Sequence, residues 1–238
     1  MELSIDTSTR HAGVALTQSG ELGAELAWRS NQNHTRELGP AVQMLLRQVG
    51  ATARDISAVS VALGPGGFSA LRVGLSFAKG IAEGLRIPLV AVGTLELEAF
   101  PLASTGLPVY AVGDAGRGQL AWAAFLQDET GWRVTAEERI ATPQELSEQL
   151  RAPALVCGEG LVSHGAVLRG LLPHGAHLVL APPPTRRAAT LARLAWRRLE
   201  LGRRDDAAAL QPLYLRRPSI TVPRDQINKT DQSAQSRA

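Results

Sequence analysis

The stretch AVSVALGPGGFSALRVGLSFAKGIAEGLRIPLVAV (58–92) constrains the fold more than any other part of the chain. AVSVAL (58–63) is a short unbroken apolar run, the pattern of a strand buried on both faces. GPGG (64–67) stops it, residues 68–85 carry apolar side chains at helical spacing, and PLVAV (88–92) is a second apolar run. Strand, helix and strand in that order imply a parallel crossover with the helix lying on the sheet. Three short extended segments precede this unit, marked by Leu3 and Ile5, by Val14 and Leu16, and by Leu22, Leu26 and Trp28. Ser19-Gly20 punctuates the second turn, so residues 2–28 read as an antiparallel meander. A helix over about 35–50 follows, with Leu38, Val42, Leu45 and Val49 on one stripe and Gly50 closing it. Pro40 is tolerated only in a first turn, which moves the expected start toward Gly39.

Beyond PLASTGLP (101–108) the pattern restarts. VYAVGDAGRGQLAWAAFL (109–126) reads as two strands around a Gly-rich turn and WRVTAEERI (132–140) as a third. Thr142-Pro143 opens a helix to about Leu150, with Thr142 as N-cap. ALVCG (154–158) and HLVLA (177–181) are further strands, and residues 185–202 a long helix ended by Gly202. The expectation is an α/β protein of two lobes with related topology, each a mixed sheet with flanking helices. The lobes are placed at residues 1–104 and 105–216, with the last helix able to pack back on the first lobe. Residues 217–238 are polar and aperiodic and are expected to be a disordered tail.

Composition excludes several classes. The chain has 238 residues, and no apolar run approaches the 18 or more of a membrane span. MELSIDTSTR has no basic stretch leading into an apolar one, so no signal peptide is read. The single cysteine, Cys157, forbids an intrachain disulfide and a Cys-based zinc cluster; together these features suit a cytoplasmic protein. The five histidines form no HxxxH or HExxH pattern, and neither a GxSxG elbow nor a Walker A loop is present. Residues 185–238 hold 12 Arg/Lys against 5 Asp/Glu. Such an excess suits either an RNA-facing surface or an ordinary solvated one written in arginine.

Two segments carry candidate chemistry. Asp6-Thr7-Ser8-Thr9 follows the first strand; Asp6, Ser8 and Thr9 could present a carboxylate and hydroxyls to a phosphate and its metal ion, or satisfy their own backbone in a hairpin turn. Gly64, Gly66 and Gly67 lie between a strand and a helix N-terminus, where backbone can approach an anion closely or simply turn tightly. In the helix that follows, Ala70, Gly74, Ala78 and Ala82 form a stripe of small side chains, flanked by Leu71, Leu75 and Phe77. A helix apolar around most of its girth is buried on two sides. One side suits its own sheet, which leaves the other for a partner chain or a second intramolecular neighbour. The earlier helix shows the same excess, with Ala41 and Met44 away from the Leu38–Val42–Leu45 stripe.

IDTST, NHTREL (33–38), GPGGFSALRVG (64–74), VGDAGRG (112–118) and PLYLR (212–216) occur in this order over residues 1–216, and together they resemble the TsaB (YeaZ) family. The resemblance implies the two-lobed fold of actin, hexokinase and Hsp70 (the ASKHA superfamily). It also implies a non-catalytic scaffold that dimerises with the catalytic paralogue TsaD, is joined by the ATPase TsaE, and pairs with itself when alone. The assembly attaches a threonylcarbamoyl group to the adenosine 3′ of the anticodon in tRNAs decoding ANN codons; tRNA is its substrate, and Arg193, Arg197 and Arg204 are the candidates for direct contact. In the family the two helices after the meander form the interface. That maps onto Leu38, Ala41, Val42, Met44, Leu45, Phe68, Ala70, Leu71, Gly74, Leu75, Ala78 and Ala82, so Gly74→Glu is expected to abolish partner binding without unfolding the chain.

The helix that carries two metal-binding histidines in TsaD offers none here, and no tightly held cofactor or metal is expected, with ATP or ADP allowed at the junction with TsaD. The superfamily's phosphate loop has a glycine where Thr7-Ser8 stand, so little ATP hydrolysis is expected. Family members usually read GPGSFTG in the Gly-rich block, and this chain has Gly67, Ser69 and Ala70 at the variable positions. The alternatives are an active nucleotide-dependent phosphotransferase of the same superfamily, which the Asp6 turn and GPGG motivate, and a metallopeptidase, which the histidine count opposes.

Overall fold

In a computed structural model describing residues 1–180 and 188–216, the chain builds one topology twice. The first unit runs β1 (Glu2–Asp6), β2 (His11–Gln18), β3 (Glu21–Arg29), α1 (His34–Gln48), β4 (Ala58–Gly64), α2 (Phe68–Leu85), β5 (Leu89–Gly93) and α3 (Thr94–Ala99). The second runs β6 (Val109–Gly116), β7 (Gln119–Asp128), β8 (Gly131–Ala141), α4 (Pro143–Gln149), β9 (Ala154–Cys157), α5 (Leu161–Leu171), β10 (Ala176–Leu178) and α6 (Ala188–Glu200). The sheet orders are β3-β2-β1-β4-β5 and β8-β7-β6-β9-β10, antiparallel in each meander and parallel elsewhere.

Strand period explains the layers. On β4, Val59 and Val61 face one side and Ala62 the other; on β5, Leu89 and Ala91 oppose Val90 and Val92. The outer face of the first sheet packs on α1 and α2 through Leu38, Val42, Leu45, Leu75, Ala78 and Ala82. Its inner face is covered by the last helix, α6, through Leu191, Leu194 and Ala195. The second sheet is built likewise: α4 and α5 cover Tyr110, Val112 and Leu120, while Val109, Ala111, Ala123 and Phe125 meet Leu95 and Ala99 of α3. Each lobe thus lends its final helix to the other's sheet. A buried Ser4–Ser60 hydroxyl pair at 2.7 Å satisfies the small polar residues of β1 and β4.

Three expectations need correction. Pro40 sits inside α1, which starts at His34 rather than near Gly39. Pro40 and the Arg36 carbonyl that loses its N–H partner both lie on exposed residues, where water can replace that bond. The expected strand over 177–181 is the shorter Ala176–Leu178. Helices α3 and α5 stand where no helix was read. The start of the long C-terminal helix at 185–187 and the tail at 217–238 lie outside the described residues. No helix among the described residues is long and apolar enough to cross a membrane.

Candidate functional site

The turn between β1 and β2 is built around Asp6, whose Oδ1 accepts the Ser8 N–H at 2.9 Å and the Ser8 hydroxyl at 2.6 Å. The Thr7 hydroxyl donates to the Ala70 carbonyl at 2.7 Å, which ties the turn to the first turn of α2. The Gly67 N–H donates to the Ser8 carbonyl at 2.8 Å. Close approach makes glycine obligatory at two positions. A Cβ on Gly66 would stand 2.2 Å from the Ser8 carbonyl oxygen, and one on Gly74 would stand 2.3 Å from Thr7 Oγ1. Asp6, Ser8, Gly66 and Gly67 are therefore brought together, and Gly74 joins them. Gly64 is close-packed by Leu213 instead, whose carbonyl oxygen is 2.8 Å from where a Cβ would sit. Thr9 faces the other lobe, where its hydroxyl donates to Glu159 Oε1 at 3.2 Å; His11 Nδ1 lies 3.3 Å from the same oxygen.

The second lobe repeats this plan more openly. Asp114, near the end of β6, accepts the Gly116 N–H at 2.6 Å and the Ser163 hydroxyl at 3.3 Å, with His164 Nε2 3.8 Å away. Gly158 and Gly160 of the β9–α5 connection press on Val112, and the Gly160 N–H donates to the Val112 carbonyl at 2.9 Å. Residues 159–164 therefore touch both hairpin turns across the cleft. Sequence reasoning passed over Glu159, Asp114 and His164; for Asp114 the signal was an acidic residue near the end of the first strand of its meander, the place Asp6 holds in the other, while Glu159 and His164 carried none. Among the described residues no three His, Cys, Asp or Glu groups converge as a metal site. Cys157 is buried against α3, and burial pushes its thiol well above the ordinary range.

Residues 211–216 cross the Gly-rich connection as a strap. The Leu213 N–H donates to the Leu63 carbonyl at 2.9 Å, and the Tyr214 ring centroid lies 4.9 Å from that of Phe68. Arg72 Nε donates to the Tyr214 hydroxyl at 3.1 Å while its guanidinium covers the Phe68 ring. Arg216 then reaches Gln119 at the start of β7 in the other lobe.

The expected interface residues divide. Met44 is 57% exposed, and Phe68 and Ala70 are half-buried. Leu38, Ala41, Val42, Leu45, Leu71, Gly74, Leu75, Ala78 and Ala82 are buried within this chain. The small-residue stripe of α2 faces inward, because small side chains are what let the helix lie on β1, β4 and the Asp6 turn. Leu71, Leu75, Ala78 and Ala82, at steps of 4, 3 and 4, carried that signal. The Gly74→Glu expectation fails with it: a glutamate there displaces Thr7 and disrupts the fold. The outward face of α2 carries half-buried Val73, Phe77 and Ile81 one turn apart, with Met44 exposed on α1. Arg193 and Arg197 are exposed side by side on α6, and Arg204 is exposed just past its end.

Comparison with known proteins places this architecture. The family model for TsaD, tRNA N6-adenosine threonylcarbamoyltransferase, matches residues 28–164. The chain is 30% identical over 224 residues to the tRNA threonylcarbamoyladenosine biosynthesis protein TsaB of Bacillus subtilis, covering 90% of this chain and 93% of that one. To the protein of that name from Escherichia coli it is 32% identical over 152 residues, 63% of this chain and 65% of the relative. A crystal structure of a Pseudomonas aeruginosa protein with similarity to peptidase YEAZ superposes with a TM-score of 0.77 at 25% identity, over 90% of this chain and 99% of that one. The two-lobed, actin-like fold read from the sequence is the fold observed.

Proposed function

This chain belongs to the TsaB (YeaZ) family, and from that premise we propose that it serves tRNA threonylcarbamoyladenosine biosynthesis as a non-catalytic subunit bound to a TsaD-type paralogue. The observation that carries this reading is how the Asp6–Thr9 turn uses its polar groups. In an active phosphotransferase of this fold the first hairpin must offer free backbone and a carboxylate to a nucleotide phosphate. Here one Asp6 oxygen holds both Ser8 groups, Thr7 is tied to Ala70, and Gly66 and Gly67 are packed on Ser8. The turn works as a joint between β1, β2 and α2. The catalytic centre then belongs to the paralogue, and TsaE and tRNA meet the assembly rather than this chain alone. The partner face is the outward side of α1 and α2, with Met44, Val73, Phe77 and Ile81, and the same face supports self-association when the paralogue is absent. Cytoplasmic residence follows from that role. Nucleotide, where it binds, sits at the junction with the paralogue.

The alternative reading, an active nucleotide-dependent phosphotransferase, draws on one feature: Asp6 ends β1 and Asp114 lies near the end of the equivalent strand β6, and both turns touch residues 159–164. A reconstitution separates the two readings. Cognate TsaD and TsaE, threonylcarbamoyl-adenylate and tRNA are combined with and without this chain, and modified adenosine is measured. Modification is expected to vanish without the chain, and the chain alone should give neither modified tRNA nor ATP turnover. Equal modification in its absence overturns the proposal.

A further inference from the structure

The three arginines of α6 divide by environment. Arg198 turns inward, where Nη2 donates to Glu96 Oε2 at 2.6 Å and Nη1 to the Ala91 carbonyl. Arg193 and Arg197, one helical turn apart, turn outward, and both guanidinium carbons stand over the Phe100 ring, at 5.6 and 5.3 Å from its centroid. Phe100 is held in turn: its ring meets Trp132 edge-on at 5.5 Å, and Trp132 stacks on Phe125 at 5.5 Å. This aromatic ladder runs from the core of the second lobe to the surface. Among the described residues neither Arg193 nor Arg197 pairs with a carboxylate, and exposed Arg203 and Arg204 follow at the helix exit, likewise without an acidic partner. Of the acids nearest in sequence, Glu200 is exposed and forms no ion pair among the described residues, while Asp205 accepts the Ala91 N–H at 2.7 Å and Asp206 accepts the Ala208 N–H at 2.9 Å.

A guanidinium resting on an aromatic ring keeps its planar fork of donors facing solvent, and part of the cost of ordering it is already met. Two such forks side by side, without carboxylates, repel each other unless an anion lies between them. We propose that Arg193 and Arg197, seated on Phe100 and continued by Arg203 and Arg204, form a contact for the phosphate backbone of RNA, through which this chain itself holds the tRNA. The inference rests on the proposed role in tRNA modification for the identity of the RNA, not for the existence of the contact.

The test is tRNA binding by the chain alone and by its complex with TsaD, measured by fluorescence anisotropy between 50 and 200 mM salt. Each phosphate contact contributes about 0.7–0.9 to the slope of log K against log salt. Arg193→Gln/Arg197→Gln is therefore expected to lower the slope by about 1.4–1.8 and affinity at physiological salt by about tenfold or more. Melting temperature and TsaD affinity should stay unchanged. Arg133→Gln, whose guanidinium is paired with Asp128, should change neither slope nor affinity. An unchanged slope in the double variant overturns the proposal, as does a loss of TsaD or TsaE affinity with tRNA binding intact, which would make the patch a protein contact. Because binding is read directly, a failed reconstitution leaves this result standing, and a failed salt slope leaves the subunit role standing.

Discussion

The two lobes share one topology, yet their hairpin turns were finished differently. In the first, α2 is 18 residues long and carries small side chains toward the sheet, so it descends onto the Asp6 turn and buries Ser8 completely. In the second, α5 has 11 residues and leaves Val162 and Val167 at 73% and 54% exposure, while Asp114 and Arg117 stand in solvent. The same strand order therefore supports a closed joint on one side and an open rim on the other. What decides between them is the side chains on the crossover helix, not the path of the chain.

Substitutions can break that comparison, and the exchanged helices come first. Leu191 belongs to the second unit but is fully buried against β4 and β5 of the first. Leu191→Ala should cost about 2–5 kcal/mol, and chemical denaturation should show both lobes melting in one transition. Two separate transitions would mean that the lobes are energetically independent. Next comes the closed joint itself. Gly74→Ala forces Thr7 off the Ala70 carbonyl and should cost about 1–3 kcal/mol, whereas Gly80→Ala on the same helix, with open space around the added carbon, should stabilise by about 0.5–1 kcal/mol. Equal effects would refute the tight contact between α2 and the turn. A smaller contrast sets the turns against each other. Ser8→Ala should cost about 1–3 kcal/mol, because it strips a buried carboxylate of a donor. Ser163→Ala, whose Asp114 partner is exposed, should stay within about 0.5 kcal/mol of zero. Thermal melts of both variants check this.

Much of this architecture is legible in the residues because burial on two faces leaves a mark. β4 and β5 read as strands from unbroken apolar runs, and α2 spans the residues 68–85 that GPGG and the apolar spacing mark out. Helix α3 escaped reading because its six residues are too few to show a period, and nearly all of them are buried. Helix α5 escaped because Val162 and Val167 face solvent and blur the stripe of Leu161 and Leu168. At the site, Asp6 and the Gly-rich block were found as turn chemistry. Glu159 was not, since its partners Thr9 and His11 lie about 150 residues away in sequence. The direction of the small-residue stripe was misjudged because spacing alone does not distinguish a helix approaching its own sheet from one approaching another chain.

The exchange of final helices also sets a timetable for synthesis. The strands of the first sheet are complete by Gly93, yet Ala62, Val90 and Val92 on its inner face are not fully covered until the stretch Ala188–Glu200 of α6 is made. At about 5–20 residues per second, a ribosome takes roughly 5–20 s to make the intervening chain. During that interval only Leu97 of α3 and Phe100 just beyond it are available to lie on that apolar face. Burial of the first sheet's inner face is thus finished by the last helix of the chain rather than within the first lobe.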